Sequence, residues 1–164
     1  MCAGARALSG GERCAKIPSM TSWRATASAS AQEDLDGLLN LVLPLAQELL
    51  GKNGQFYPFA AAVSADGEES LTAADAGIGD HPQPDQVLAG LYDGARASAA
   101  DIRAAAFVVD VLADGSDAVR VELEHQDGIA LVVLVPYQPS TLKRFPKFEQ
   151  MSVAPGEPRV WIEG

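Results

Sequence analysis

The sequence predicts an α+β domain, with a mostly antiparallel, five-stranded sheet packed by two main helices. Three observations predict it. Residues 104–137 read as three apolar runs rich in β-branched residues, AAAFVVDVLA, AVRVELEH and GIALVVLVPY, joined by ADGSD and QDG. Successive strands with short, turn-forming joints make an antiparallel meander. Two other segments repeat apolar residues at helical spacing, one from Leu35 to Leu50 and one from Val87 to Ala99. Between them, FYPFAAAVSA and the run beyond Asp66-Gly67 form a hairpin.

Taken in order, residues 1–30 are mostly Ala, Ser, Gly and Arg without a period, and are expected to be a disordered extension. Met20 is an alternative initiator. A single domain is expected over residues 31–164. Its first helix opens on Ser30-Ala31-Gln32-Glu33, which has capping-box spacing. Leu41 and Leu43 widen its apolar arc, so the helix is expected to be covered on more than one side or to join a subunit contact. Pro44 leaves the Asn40 carbonyl without its usual donor, and Gly51 or Gly54 can end the helix.

The hairpin pairs Phe56–Ala65 with Glu68–Ala74, and Pro58 marks an edge or bulge. DAGIGDHPQP is loop, and the second helix starts near Pro84 or Asp85. Gly90 and Gly94, four apart in it, each cost roughly 1 kcal/mol against Ala and are expected to allow close approach of a neighbouring element. In the meander, Val119, Val121 and Leu123 alternate with Arg120, Glu122 and Glu124, so one face is expected buried and the other wet. Ile129–Val135 is apolar on both parities and is expected to be central and covered on both faces. A C-terminal hairpin is expected between Phe148–Val153 and Arg159–Ile162. The expected core comprises Leu38, Leu39, Val42, Leu45, Leu49, Val63, Leu88, Leu91, Val109, Val121, Leu131, Val133 and Val135.

The 164 residues carry a formal net charge of −10. Such a surface repels phosphate backbones and anionic lipid, which argues against nucleic-acid and membrane partners. The two cysteines, Cys2 and Cys14, lie outside every periodic segment, so no disulfide framework is expected. No apolar run is long enough to cross a bilayer, and the N-terminus lacks the apolar centre of a secretory signal; a cytoplasmic protein is the expectation.

Candidate catalytic groups are few. His81 lies in a loop with Asp80 and Asp85, where an acid/base role is conceivable; a lone His among aspartates lacks zinc-site spacing, and neither a metal nor a cofactor is expected. His125 and Glu124 are neighbours on a strand and face opposite ways, so they form no dyad. Asp110 interrupts an apolar strand. If its face is covered, its carboxylate needs a donor, with Arg103 or Arg120 as candidates, or a raised pKa. Tyr137 and the basic loop of Lys143, Arg144 and Lys147, interleaved with Phe145 and Phe148, are candidates for ligand binding. Phosphate-loop, dinucleotide and nucleophile-elbow motifs are absent.

The order helix, hairpin, helix, three-strand meander resembles that of roadblock and profilin-like domains over residues 33–137. The resemblance implies one sheet with helices on its faces and a habit of dimerising through a helix or edge strand. The phrases FYPFAAAV, VELEH and VPY also resemble those of uncharacterised small bacterial α+β proteins. The leading functional expectation is a non-catalytic binding or scaffold module that pairs with itself or another protein. Two alternatives stand beside it: a small-molecule-binding or hydrolytic enzyme with its site near His81 or Tyr137, and an immunity or antitoxin-like protein whose acidic surface masks a basic partner.

Overall fold

Helix α1 spans Ala29–Asn53. The Ser28 hydroxyl accepts the Ala31 N–H at 3.1 Å and satisfies one of the donors that a helix start leaves open. The cap is therefore two residues ahead of the box read from Ser30. The helix continues through Pro44 and Gly51. Its buried stripe is Ala31, Leu35, Leu38, Val42, Ala46 and Leu50. Leu39, Leu41, Leu43, Leu45 and Leu49 are half-buried along the margins of the same core. The wide apolar arc thus serves one broad contact with the sheet.

The computed structural model describes residues 27–53, 56–72, 83–113, 115–138 and 147–162. The proposed N-terminal extension falls almost wholly outside them. After α1 come β1 (Phe59–Ser64), β2 (Glu69–Thr72), α2 (Pro84–Ala97), β3 (Ile102–Ala113), β4 (Ser116–His125) and β5 (Ile129–Gln138). Two short strands follow, β6 (Lys147–Phe148) and β7 (Ser152–Pro155). The expected α+β architecture is present, and the meander is β3–β4–β5. Gly67, Gly115 and Gly128 have φ of 93°, 79° and 95°, the left-handed region that their turns require.

The strands run β2-β1-β3-β4-β5-β6, antiparallel at every pairing, and β7 also pairs with β5. β6 and β7 lie along the same edge of β5, against Tyr137–Gln138 and Leu131–Leu134 respectively. This replaces the expected C-terminal hairpin. Residues 159–161 are instead recruited by a carboxylate on β4, as described below. Because β1 lies between β2 and β3, the chain leaving β2 must cross over it, and α2 is part of that crossover.

The sheet has helical cover on both faces. On the α1 face, Phe59, Val63, Val108, Val119, Val121, Leu131, Val133 and Val135 are buried. On the α2 face, Ala60, Ala105 and Phe107 pack with Val87, Leu91 and Val160. Of the expected core, Leu39, Leu45, Leu49 and Leu88 are only partly buried. β5 is internal as expected, but Val132 and Leu134 on the α2 face are half-exposed, because the helix packs at the β1–β3 side.

Two expectations about the α2 face are corrected. The polar side of β4 is largely covered: Glu122 and Glu124 are 9% and 4% exposed, beneath α2 and the segment around Val160, while Arg120 stays partly open. Nor do Gly90 and Gly94 bring elements together. A Cβ built on either meets nothing within 4 Å. Both glycines have ordinary helical backbone and face open space, so Gly90→Ala and Gly94→Ala should each stabilise the protein by about 0.5–1 kcal/mol. Urea unfolding at equilibrium checks this, and a loss of stability in both variants would contradict the packing described.

Among the described residues, no helix is long and apolar enough to cross a membrane.

Candidate functional site

Buried and half-buried polar groups among the described residues form three clusters, each joining elements distant in sequence. The first ties the start of α1 to one end of the sheet. Asp34 lies on the apolar side of α1, between Ala31 and Leu38 in helical spacing. Arg103 donates to it from Nε and Nη2, at 2.9 Å each, a bidentate fork. His125 Nδ1 accepts the Asp127 N–H at 3.1 Å, which places the ring proton on Nε2, 3.0 Å from Asp34 Oδ2. The hydrogen bond to Asp34 raises the pKa of Arg103 above its ordinary value. This Asp–His contact has the look of a catalytic pair. However, both imidazole nitrogens are already bonded and both side chains are buried, so the imidazole has no nitrogen free for a substrate.

The second cluster is built on β4 and faces α2. Both carboxylate oxygens of Glu124 accept backbone N–H groups from the C-terminal segment: Arg159 and Val160 on Oε1 at 2.7 and 2.9 Å, and Trp161 on Oε2 at 2.9 Å. Three charge-assisted bonds compensate the burial of the carboxylate and hold the chain end against α2. Arg96 of α2 reinforces the attachment through its Nε, which donates to the Arg159 carbonyl at 2.6 Å. Glu122, two residues along the same face, accepts the Tyr92 hydroxyl. Burial, then this hydrogen bond, raises the Tyr92 pKa.

The third cluster contains two residues singled out from the sequence. Asp110 is on the α1 face of β3, and its donor is the Tyr137 hydroxyl, at 2.8 Å. The donor is neither Arg103, which is engaged with Asp34, nor Arg120, whose neighbour Val119 is the register partner of Asp110 and which therefore faces the other side. Burial is the main cause of the raised Asp110 pKa, opposed by the hydrogen bond from Tyr137. The Tyr137 pKa is raised too, first by burial and then by its bond to Asp110.

Of the remaining sequence candidates, only Asp85 has a described side chain, and it does not converge with this pair. Asp85 is exposed in the first turn of α2, on the opposite side of the sheet. His81, Lys143 and Arg144 lie outside the described residues, as does the side chain of Lys147. Among the described residues, no group of three His, Cys, Asp or Glu side chains is placed to hold a metal ion.

A different feature escaped the sequence reading. A cavity of about 540 Å³ opens between α2 and the β2–β1–β3 side of the sheet. Gly90, Leu91, Gly94 and Ala95 form its helical wall; Ala60, Ala62, Ala105 and Phe107 form its floor, with Ser70, Thr72 and Ser98 also in the lining. None of the described residues in its lining is ionisable. The volume is within the range of small-ligand sites. Its sequence signal was the glycine pair, read there as a packing device.

Comparison of the chain with family models, curated proteins and solved structures finds no match in any of the three.

Two outcomes follow from the Glu124 and Asp110 carboxylates. Glu124→Ala leaves three N–H groups without their acceptor and should cost about 3 kcal/mol, read by urea unfolding. In a Trp23→Phe background the only indole left is Trp161. Its emission should shift to the red in Glu124→Ala as the segment detaches; an unchanged spectrum would count against the attachment. For Asp110, the folded state binds the proton more tightly than the unfolded chain. Its contribution to stability is therefore best at low pH and falls as pH rises from the ordinary carboxylate value through the raised one. Asp110→Asn removes that dependence. Relative to the parent, the variant should be more favourable at about pH 7 than at about pH 3.5, and an opposite trend in the unfolding free energy would refute the assignment.

Proposed function

We propose that this chain is a non-catalytic binding module whose ligand site is the cavity beneath α2. The observation that carries the reading is the chemistry of that cavity: about 540 Å³ of space walled, among the described residues, by small and apolar groups, a few hydroxyls and no ionisable side chain. General acid/base chemistry needs a titratable group within reach of the reacting atoms, and the described residues of this lining offer none. Elsewhere Asp34, Glu124, Asp110 and His125 are occupied in bonds that hold the elements together. A neutral, largely apolar ligand or inserted side chain fits such a surface, with Ser70, Thr72 or Ser98 available to orient one polar atom.

The neutral dye Nile red tests the reading. The parent protein should bind it saturably, with one dye per chain, and Gly94→Leu, which fills the cavity from the helix side, should weaken binding at least about tenfold. Equal binding by both proteins, or none by the parent, would overturn the assignment.

Self-association is a second reading, and it rests on strand β2. This four-residue strand ends the sheet order, pairs only with β1 among the described strands, and leaves Leu71 49% exposed. An edge of this kind can pair with its own copy across a two-fold axis. Sedimentation at micromolar concentration should then show a dimer, and Leu71→Lys should shift it toward monomer. A parent protein that sediments only as monomer excludes this reading and leaves the cavity proposal intact.

A further inference from the structure

Arg120 and Arg159 reach the same point from different parts of the chain. Arg120 is on the α2 face of β4, and Arg159 belongs to the C-terminal segment held by Glu124. Their Nη2 atoms lie 3.9 and 3.6 Å from a single oxygen, Glu122 Oε2. Both separations are too long for a hydrogen bond. The other oxygen of Glu122 already accepts the Tyr92 hydroxyl. Two guanidinium cations therefore share one carboxylate without hydrogen-bonding to it.

Each also has a buried Nε–H that finds no partner among the described residues. An unsatisfied buried donor is unfavourable, and here it occurs twice in one place. The other described cations are engaged differently. Arg103 forks onto Asp34, Arg96 bonds Asp93 and the Arg159 carbonyl, and Lys52 pairs with Glu48. Glu157 approaches Arg159 Nη1 at 3.7 Å, but it is 77% exposed, a surface contact that is easily exchanged.

The pair is both ordered and accessible. The Arg159 guanidinium lies over the Tyr92 ring, 5.1 Å from its centroid, which restricts its orientation. Arg120 and Arg159 remain 34% and 36% exposed. Beside them on the same face, the half-exposed Val132 and Leu134 are the register partners of Glu122 and Arg120.

We propose that Arg120 and Arg159 form a binding site for an oxyanion, a carboxylate or phosphate group. The accessible Nη groups offer the donors. A small turn of either guanidinium toward the ligand brings its Nε–H into a two-pronged contact, the geometry that planar oxyanions favour. The site is separate from the cavity beneath α2, whose lining contains neither arginine.

The test follows the arginine Nε–H resonances of the whole protein by NMR during titration with inorganic phosphate and, separately, with benzoate. Sodium chloride at matched ionic strength is the control. Arg120 and Arg159 should shift saturably, with a Kd of about 10 mM or tighter, while Arg103 stays in place. Response to one probe alone supports the site and identifies its oxyanion; response to both supports the shared chemistry. Arg120→Gln and Arg159→Gln should each weaken binding about tenfold. If Arg159→Gln does not fold, Arg159→Lys keeps the charge, loses the fork, and should show the same loss. The proposal fails if the shifts grow without saturation as they do in sodium chloride, or if Arg120→Gln binds as tightly as the parent.

Discussion

Phe107 and Val108 are adjacent in sequence, point to opposite faces of the sheet, and are both fully buried. Most of the architecture depends on that constraint. A strand at the middle of a sheet with two apolar faces needs a layer on each side. α1 supplies one with a single broad stripe. α2 is shorter and packs at the β1–β3 side, so the second layer has to be completed by the C-terminal residues around Val160. The Glu124 carboxylate, binding three consecutive backbone N–H groups, is the device that brings those residues in.

This arrangement changes the meaning of the charged residues. Buried and half-buried carboxylates in a protein of net charge −10 would first suggest chemistry. In this fold Asp34 anchors a helix start, Glu124 anchors the chain end, and Asp110 meets Tyr137. Each is offset by donors from another element, so the polar groups act as fasteners between layers. The incomplete fit of α2 over the sheet leaves two places where the surface is not self-sufficient. One is the neutral cavity beside the glycines, and the other is the arginine pair that shares Glu122. A binding role is the reading that these two places support.

The meander was legible because its signals are local. Alternation and turn glycines act over a few residues, and Gly115 and Gly128 have the positive φ that their dipeptides implied. The start of α2 at Pro84 was legible for the same reason, since proline suits the first helical turn. Glu122 and Glu124 were misread because alternation reports polarity and not cover. Which residues lie over a polar strand face depends on chain many positions away. Asp34 carried a usable sign, an acid on the apolar stripe of a helix. Its partners Arg103 and His125, 69 and 91 residues distant, carried none.

The sequence by itself determined the element types up to the end of the meander, its antiparallel course and the two parities of its strands, because backbone preference and side-chain alternation are set by near neighbours. Only the tertiary structure decided how the sheet edges are filled, which carboxylates are buried and what satisfies them, and where space remains unfilled. Those outcomes arise when distant segments compete for the same surface, and no local pattern records the result.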